Sequence, residues 1–368
     1  MRILMMMMEG RGGMYQYGVL LSNALSHEHE IHAIVPRGAE VGFFEPSVNV
    51  REYPVGDTPR NFLPRLMRVD RMVRLLRLIR RVRPDVIHFH NPYNPWPTPL
   101  LPWLRRYRIV TTIPEGKLHR GMEKRLEMVV SRAIHVRFSD ALIVLFEKDS
   151  ELLGGLTKNK RTFIIPHGVN TLFARMADID VPEDNSILFF GAALPFKGLE
   201  YLLKAFAIVK DAVLDVKLVV ASRLDMEKYA PLLEPLGDRV VVDNRFIPPE
   251  VAAKYLRATK LVVLPYIEDD HSGLIPLVYS FGKPVVVTEL VSDMVEPGKT
   301  GLVVPPFDHL ALARAITTLL QDECLRADMK THVRKKVEGE LSWERIAEKT
   351  CRVYREVLKT QRGNGPSA

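Results

Sequence analysis

The stretch LVVLPYIEDDHSGLIPLVYSFGKPVVVTELV, residues 261–291, decides the fold of this protein. Its first four residues are an apolar run that ends at Pro265, which is typical of a buried parallel strand. A polar loop, 268–273, is followed by an apolar helix that Gly282-Lys283-Pro284 terminates, and then by a second strand at Val285–Thr288. The loop therefore lies between a strand's carboxyl end and a helix's amino end, where doubly wound sheets bind ligands.

The loop suits a ligand that carries both phosphate and hydroxyl groups. Free backbone N–H groups and the helix dipole favour an anion at the amino end of a helix. Ser272 and Gly273 let a phosphate approach the backbone, and three carboxylates can accept hydrogen bonds from hydroxyls: Glu268, Asp269 and Asp270. A nucleotide sugar carries both groups, so the loop is predicted to bind one.

The ordered motifs of residues 261–316 resemble the donor-binding half of glycosyltransferase family 4. These motifs are LPY, an acidic loop, SG, PL, GKPVV, GKTGLVVPP, D and ALA. The resemblance implies a retaining enzyme of the α/β GT-B fold. In that fold two Rossmann-like, doubly wound domains face each other across a cleft, and a C-terminal helix crosses back to the N-terminal domain. The SG motif resembles a branch of the family that lacks a second acidic residue.

The length of 368 residues suits two domains. The predicted division is an acceptor-binding domain at 1–170, a linker at 171–185 and a donor-binding domain at 186–340. The last helix, at 343–360, is assigned to the first domain, with Ser342 as its N-cap and Trp343 as its anchor.

Composition predicts a cytoplasmic location. The chain has two cysteines without a disulfide or metal-binding pattern, which is typical of a reducing compartment. No apolar run reaches the roughly 18 residues of a membrane helix, and the N-terminal MRILMMMMEG predicts a strand and not a signal peptide. Peripheral association with the inner face of the membrane is a further expectation.

That expectation comes from an arginine-rich segment in a basic N-terminal half. Residues 1–175 contain 27 Lys and Arg against 16 Asp and Glu, and residues 60–83 alone contain nine arginines. A helical projection places an apolar stripe (Val69, Met72, Val73, Leu76, Ile79) opposite a polar face (Asp70, Arg74, Arg77, Arg81). The helix is either an ordinary solvated helix or a face for anionic lipid or an anionic acceptor. Nucleic acid is not an expected partner, because the arginines lack interleaved aromatic residues.

The first domain contains three further candidate features. Gly12 and Gly13 follow the first strand without the GxGxxG spacing. They form either a tight turn or, as the resemblance favours, a loop near the donor phosphates. The resemblance also implies that His119 hydrogen-bonds the donor sugar, since Pro114 and Glu115 occupy the family's usual His-Asp positions. His88 and His90 point to one side of a strand, and structural histidines are favoured over a metal site that lacks a third ligand.

In the second domain, the family pattern G-R-x-x-x-x-K-G places a cation pair on the donor diphosphate. Lys197 matches the lysine, but Ala192 occupies the arginine position, and Arg223 or Arg11 is the expected substitute. The loop at Ile247 would hold the base through its backbone. Of the family's two glutamates, Asp269 keeps a carboxylate for the sugar, whereas Leu277 cannot bind the ribose.

The sequence thus predicts a retaining, metal-independent glycosyltransferase of the hexosyltransferase type. It would transfer a sugar from a nucleotide-diphosphate sugar to a glycan or lipid-linked acceptor, without a cofactor. Asp269 and His119 are the catalytic candidates, Lys197, Ser272, Gly273 and Asp270 would bind the donor, and no nucleophile is expected. Two alternatives remain open: a non-catalytic GT-B protein that binds a sugar nucleotide or a partner protein, and a nucleotide-sugar epimerase, for which no acid/base pair is found.

Overall fold

The computed structural model describes residues 1–54, 69–115, 126–157, 160–176, 181–268 and 272–360. They fold as two units. The first contains Met1–Gly168 and the C-terminal segment from Leu341, and the second is Val169–Glu340. Each unit is built on a parallel sheet, so the predicted architecture of two doubly wound α/β units is confirmed.

Thirteen strands are present among the described residues. They are β1 Arg2–Met7, β2 Glu30–Pro36, β3 Asn49–Tyr53, β4 Val86–His90, β5 Arg108–Ile113, β6 Ala141–Val144, β7 Arg161–Ile164, β8 Ser186–Phe190, β9 Lys217–Ala221, β10 Val240–Asp243, β11 Leu261–Leu264, β12 Val285–Thr288 and β13 Gly301–Val304. The first sheet has the order β3-β2-β1-β4-β5-β6-β7 and the second the order β10-β9-β8-β11-β12-β13.

The same residues form thirteen α-helices. They are α1 Gly13–Ser26, α2 Val69–Val82, α3 Leu101–Leu104, α4 Leu126–Phe138, α5 Glu147–Thr157, α6 Leu172–Met176, α7 Leu199–Ala212, α8 Met226–Leu233, α9 Pro249–Ala258, α10 Leu274–Ser280, α11 His309–Gln321, α12 Glu323–Glu338 and α13 Trp343–Lys359.

Strand order places one topological switch point in each sheet. In the first sheet the order reverses between β1 and β4, and in the second between β8 and β11. Strands β4 and β11 are buried along their whole length, because helices cover both faces of a parallel sheet. The loops that leave these four strands at their carboxyl ends are therefore where a ligand is expected.

The last helix, α13, belongs to the first unit, as predicted. Ser342 Oγ accepts a hydrogen bond from the Arg345 backbone N–H at 3.4 Å, which confirms the N-cap. Trp343 is 8% exposed and its ring centroid lies 5.5 Å from that of Tyr17 on α1. A Cβ atom on Gly168 would lie 2.8 Å from the Trp343 ring, so only glycine permits this approach. Trp343 therefore anchors α13 within the first unit.

Helix α2 buries a face that is shifted from the predicted one: Ile79 is buried as predicted, and Met72 and Leu76 are partly buried against the same core. The residues in the core are Leu75, Ile79 and Val82, whose spacing of four and seven residues defines one helix face. Val69 is 63% exposed and Val73 is 36% exposed, so their assignment to the buried stripe was wrong. Three arginines are exposed as predicted: Arg74, Arg77 and Arg81. Arg74 pairs with Asp70 one turn earlier, whereas Arg77 and Arg81 form no salt bridge among the described residues.

The paired histidines of β4 are buried beside each other, with ring centroids 4.2 Å apart. His88 Nδ1 contacts Tyr354 Oη at 2.6 Å and Nε2 contacts Thr112 Oγ1 at 2.7 Å. Burial lowers the pKa of His88 well below its usual value and that of His90 to about 3, so both rings are neutral. Across the described ranges, no group of three or more His, Cys, Asp or Glu could hold a metal ion. His88 is satisfied structurally, whereas neither nitrogen of His90 has a hydrogen-bond partner among those residues.

Candidate functional site

The loop that follows β8 packs tightly on the loop that follows β11. Residues Pro195–Lys197 form a single 3₁₀ turn that ends at Gly198, whose φ of 67° lies in the left-handed region. A Cβ atom on Gly198 would lie 1.9 Å from the carbonyl oxygen of Pro265. The Ile267 backbone N–H also donates to the Phe196 carbonyl at 2.8 Å. The two loops at the second switch point therefore form one joined surface.

Lys197 is the cation of this surface. Its side chain is half-buried, and Nζ lies 5.2 Å from the centroid of the Tyr266 ring, within the range of a cation–π contact. Among the residues that the structure describes, no carboxylate forms a salt bridge with Lys197. An ammonium group that is fixed in place without an anionic partner is suited to bind a phosphate.

Tyr266 connects Lys197 to the predicted phosphate loop. Its hydroxyl lies 3.1 Å from Ser272 Oγ, and its carbonyl accepts a hydrogen bond from Thr288 Oγ1 at 2.7 Å. Because the side chain is only 2% exposed, Tyr266 orients these neighbours and leaves little surface for a ligand. This role of Tyr266 was not predicted, although its signal is in the sequence: the tyrosine of the LPY motif directly follows a buried strand.

Ser272 and Gly273 lie at the amino end of α10, as predicted. Gly273 is the N-cap residue, and Ser272 Oγ accepts a weak hydrogen bond from the Leu274 backbone N–H at 3.4 Å. Leu277 is 5% exposed and apolar, so the position of the family's second acid contributes only to packing. The structure thus brings Lys197, Tyr266 and Ser272 together at one strand edge.

The remaining predicted residues of the second unit are less closely connected. Arg223 is exposed and follows β9, which is the neighbour of β8, whereas Ile247 is buried just before α9. Ala192 is exposed, so the missing arginine leaves open surface at that position.

One carboxylate at the same sheet edge was not predicted. Glu289 is exposed directly after β12. Three predicted residues lie outside the described ranges: Asp269, Asp270 and His119.

The predicted glycine turn is present in the first unit. Gly12 has a φ of 89° and is the N-cap of α1, which no side chain caps. A Cβ atom on Gly12 or Gly13 would meet no other atom within 4 Å, so there is room for a ligand beside these two residues. Arg11 beside them is exposed. This arrangement is suited to an anion as well as to a tight turn.

Two family models match this chain. Residues 11–172 match the model described as Glycosyltransferase Family 4, and residues 184–322 match that of Glycosyl transferases group 1. The two matches together span most of the chain and fall on its two α/β units. The chain belongs to glycosyltransferase family 4.

Individual relatives of this family 4 chain are distant. Alpha-D-kanosaminyltransferase of Streptomyces kanamyceticus is 29% identical over 177 residues, which are 46% of this chain and 45% of that protein. Such matches span about half of this chain and about half the length of the curated relatives.

Solved structures define the fold of this family 4 chain more completely. Sucrose-phosphate synthase from Thermosynechococcus elongatus superposes with a TM-score of 0.75 and 21% identity, over 97% of this chain and 99% of that one. Anabaena Alr3699/HepE in complex with UDP-glucose superposes with a TM-score of 0.71 and 15% identity, over 96% and 99% of the two chains. The fold is therefore GT-B.

The described helices include none that is both long enough and apolar enough to cross a membrane.

Proposed function

We propose that this family 4 protein is a retaining glycosyltransferase that takes its sugar from a nucleotide-diphosphate sugar. The observation that carries the proposal is Lys197, which is fixed beside Tyr266 at the switch point of the second sheet and has no carboxylate partner among the described residues. Membership of a glycosyltransferase family supports it. So does the likeness in fold to a protein whose structure contains UDP-glucose.

The proposed chemistry is one of positioning and charge stabilisation. Lys197 and the backbone amides at Ser272 and Gly273 bind the diphosphate and stabilise the negative charge that develops on it as the sugar leaves. Asp269 and Asp270 accept hydrogen bonds from the sugar hydroxyls, His119 hydrogen-bonds the sugar, and the leaving phosphate takes the proton of the acceptor hydroxyl. Neither a metal ion nor a protein nucleophile takes part in this scheme.

A nucleotide-sugar binding panel tests the donor site. We expect one of the UDP, GDP and ADP sugars, and not a CMP sugar, which has a single phosphate, to raise the melting temperature of the full chain, in buffer with EDTA as well as without it. A ligand at about 100 times its dissociation constant stabilises the folded state by about 2.7 kcal/mol. Lys197→Ala should abolish the shift, whereas Lys204→Ala on α7, an exposed lysine paired with Glu200, should leave it unchanged.

An anionic, lipid-linked acceptor is proposed for the first unit. Arg74, Arg77 and Arg81 are exposed on α2. The aromatic Trp103 on α3 is 61% exposed and is followed by the exposed pair Arg105-Arg106. Helices α2 and α3 cover the same core, because Leu75, Ile79, Leu101 and Leu104 pack in one cluster. Exposed arginine and tryptophan side chains together suit the interface of an anionic membrane.

Vesicle flotation tests this surface. The wild-type chain should float with vesicles that contain anionic phosphatidylglycerol, and not with neutral phosphatidylcholine vesicles. The triple variant Arg74→Glu, Arg77→Glu, Arg81→Glu should remain in solution, since each basic residue near the surface contributes about 1 kcal/mol. Replacement of three exposed basic residues of the second unit (Lys228, Lys254, Arg314) by glutamate is the matched control. Equal flotation of both variants would contradict the proposal.

A non-catalytic role is the second candidate, and one observation favours it. Where the family pattern has an arginine for the donor diphosphate, this chain has Ala192. Where the pattern has an acid for the ribose, this chain has the buried Leu277. In that case a sugar nucleotide would bind without any release of nucleotide diphosphate when acceptors are added, so a product assay on the bound donor distinguishes the two functions.

A further inference from the structure

Two polar residues lie at the switch point of the first sheet, where Glu9 follows β1 and Asn91 directly follows β4. Asn91 Nδ2 donates a hydrogen bond to Glu9 Oε1 at 2.6 Å. The chain leaves the adjacent strands β1 and β4 toward opposite sides of the sheet, which opens a crevice at this edge. A ligand in that crevice would meet the Glu9 carboxylate.

Asn91 is itself held firmly in place. Its backbone has a φ of 64°, a left-handed conformation that asparagine tolerates, and its side-chain oxygen accepts from the Tyr93 backbone N–H at 3.1 Å. The Tyr93 hydroxyl in turn donates to the Glu115 carbonyl at 2.5 Å, and Asn94 Nδ2 donates to the Met8 carbonyl at 3.2 Å. The loop after β4 is thereby tied to the loops after β1 and β5, so the amide of Asn91 has one direction available to it.

The Glu9 carboxylate is only partly used by these contacts. The residue as a whole keeps exposed surface, but its carboxyl group is largely surrounded by protein. Among the described residues no donor reaches its second oxygen, Oε2. The protein packed around the carboxyl group and the nearby Glu115 carboxylate raise the pKa of Glu9 to about 7, against the opposing effect of the Asn91 hydrogen bond. In the same cluster, Arg132 on α4 favours the ionised form of Tyr93 and so opposes the rise that burial causes in the pKa of the Tyr93 hydroxyl. Above its own pKa of about 7, Glu9 is an oriented carboxylate with a free acceptor oxygen.

We propose that Glu9 binds the acceptor substrate by accepting a hydrogen bond from a hydroxyl of an uncharged sugar or cyclitol ring that the lipid-linked acceptor carries, and that Asn91 is the residue that positions Glu9. This inference rests on the proposed function, since it assigns the acceptor side of the same reaction. A carboxylate with a fixed partner amide suits a polyol, because adjacent hydroxyls can donate to the carboxylate and accept from the second N–H of the amide.

The test measures polyol binding directly, on the full chain, by ligand-observed NMR. The probes are myo-inositol, methyl α-glucopyranoside, methyl α-mannopyranoside and, as a cationic comparison, methyl α-glucosaminide. Binding of at least one neutral probe should strengthen as the pH rises through about 7, because the carboxylate form of Glu9 is lost below its pKa. Glu9→Gln, an isosteric change at an exposed position, should weaken that binding about 10- to 100-fold and remove its pH dependence.

Variants of Asn91 separate positioning from folding. Asn91→Asp keeps the contact with the Tyr93 backbone N–H and adds a negative charge beside Glu9, so the pH dependence should move to higher pH. Asn91→Gly keeps the left-handed backbone and removes the amide, so binding should weaken while the melting temperature changes little.

The outcomes distinguish this inference from the proposed function. Donor binding to Glu9→Gln should equal that of the wild type, because Glu9 is not among the residues proposed to contact the donor. Three results would overturn the assignment of Glu9. The wild-type chain could bind a nucleotide sugar but no neutral polyol, or it could bind only the cationic probe. In the third, Glu9→Gln would bind polyols as well as the wild type does. A chain that binds no nucleotide sugar would overturn the proposed function, and the inference with it.

Discussion

Lys197→Ala is expected to lower the rate of sugar transfer by about 10²–10³, the usual loss when one preorganised donor to a developing anion is removed. The ammonium group lies 5.2 Å from the Tyr266 ring centroid, so its position does not depend on a bound ligand. The effect should be large in this chain, because Ala192 occupies the position at which the family pattern has a second cation. The measurement is the release of nucleotide diphosphate with the donor found in the binding panel.

The matched control for Lys197→Ala is Lys204→Ala, which removes an exposed lysine of the same unit. Its pairing with Glu200 is a surface salt bridge worth little, so neither rate nor stability should change measurably. Lys197→Arg keeps the charge but lengthens the side chain against Tyr266, and an intermediate rate is expected. A rate for Lys197→Ala within threefold of the wild type would show that the diphosphate is stabilised elsewhere, with Arg223 as the next residue to replace.

Gly198→Ala is expected to destabilise the second unit by about 2–5 kcal/mol. About 1–2 kcal/mol of this comes from forcing an L-residue into the left-handed region, where Gly198 has a φ of 67°. The remainder is steric, since the added Cβ atom would lie 1.9 Å from the Pro265 carbonyl oxygen, and overpacking typically costs about 1–3 kcal/mol. Denaturant unfolding of the full chain provides the measurement.

The control for Gly198→Ala separates backbone strain from the steric clash. Gly282 in the same unit has a φ of 66°, and a Cβ atom there would meet no atom within 4 Å. Gly282→Ala should therefore cost only the backbone share. If the two variants lose equal free energy of unfolding, the contact between the loops after β8 and β11 does not limit the site. If Gly198→Ala folds but binds the donor poorly, the clash has moved Lys197 from its position.

The sequence determined most elements directly. Strand β11 is a continuous apolar run because it is buried on both faces, and its bounds were predicted closely. Ser342 could be recognised as an N-cap because the capping hydrogen bond is local. The edge strand β3, Asn49–Tyr53, was missed, because four of its five residues are not buried and its pattern lacks a clear apolar repeat.

The candidate donor site was predicted in part. The positions of Lys197 and Ser272 follow from motifs within single loops, whereas the part that Tyr266 plays between them depends on how two loops pack. The buried face of α2 could not be chosen correctly, because apolar residues surround most of that helix and the sheet beneath it decides which of them enter the core.

The sequence by itself determined the family, the two α/β units and the strand ends at which ligands are expected, since these depend on local apolar runs and on ordered motifs. Only the tertiary structure decided which distant residues meet at those ends. Glu9 and Asn91 are separated by 82 positions, yet they form a hydrogen bond, because the strand order places β1 beside β4. A contact of that kind depends on which strands are neighbours in the sheet, and no local pattern in either segment encodes it.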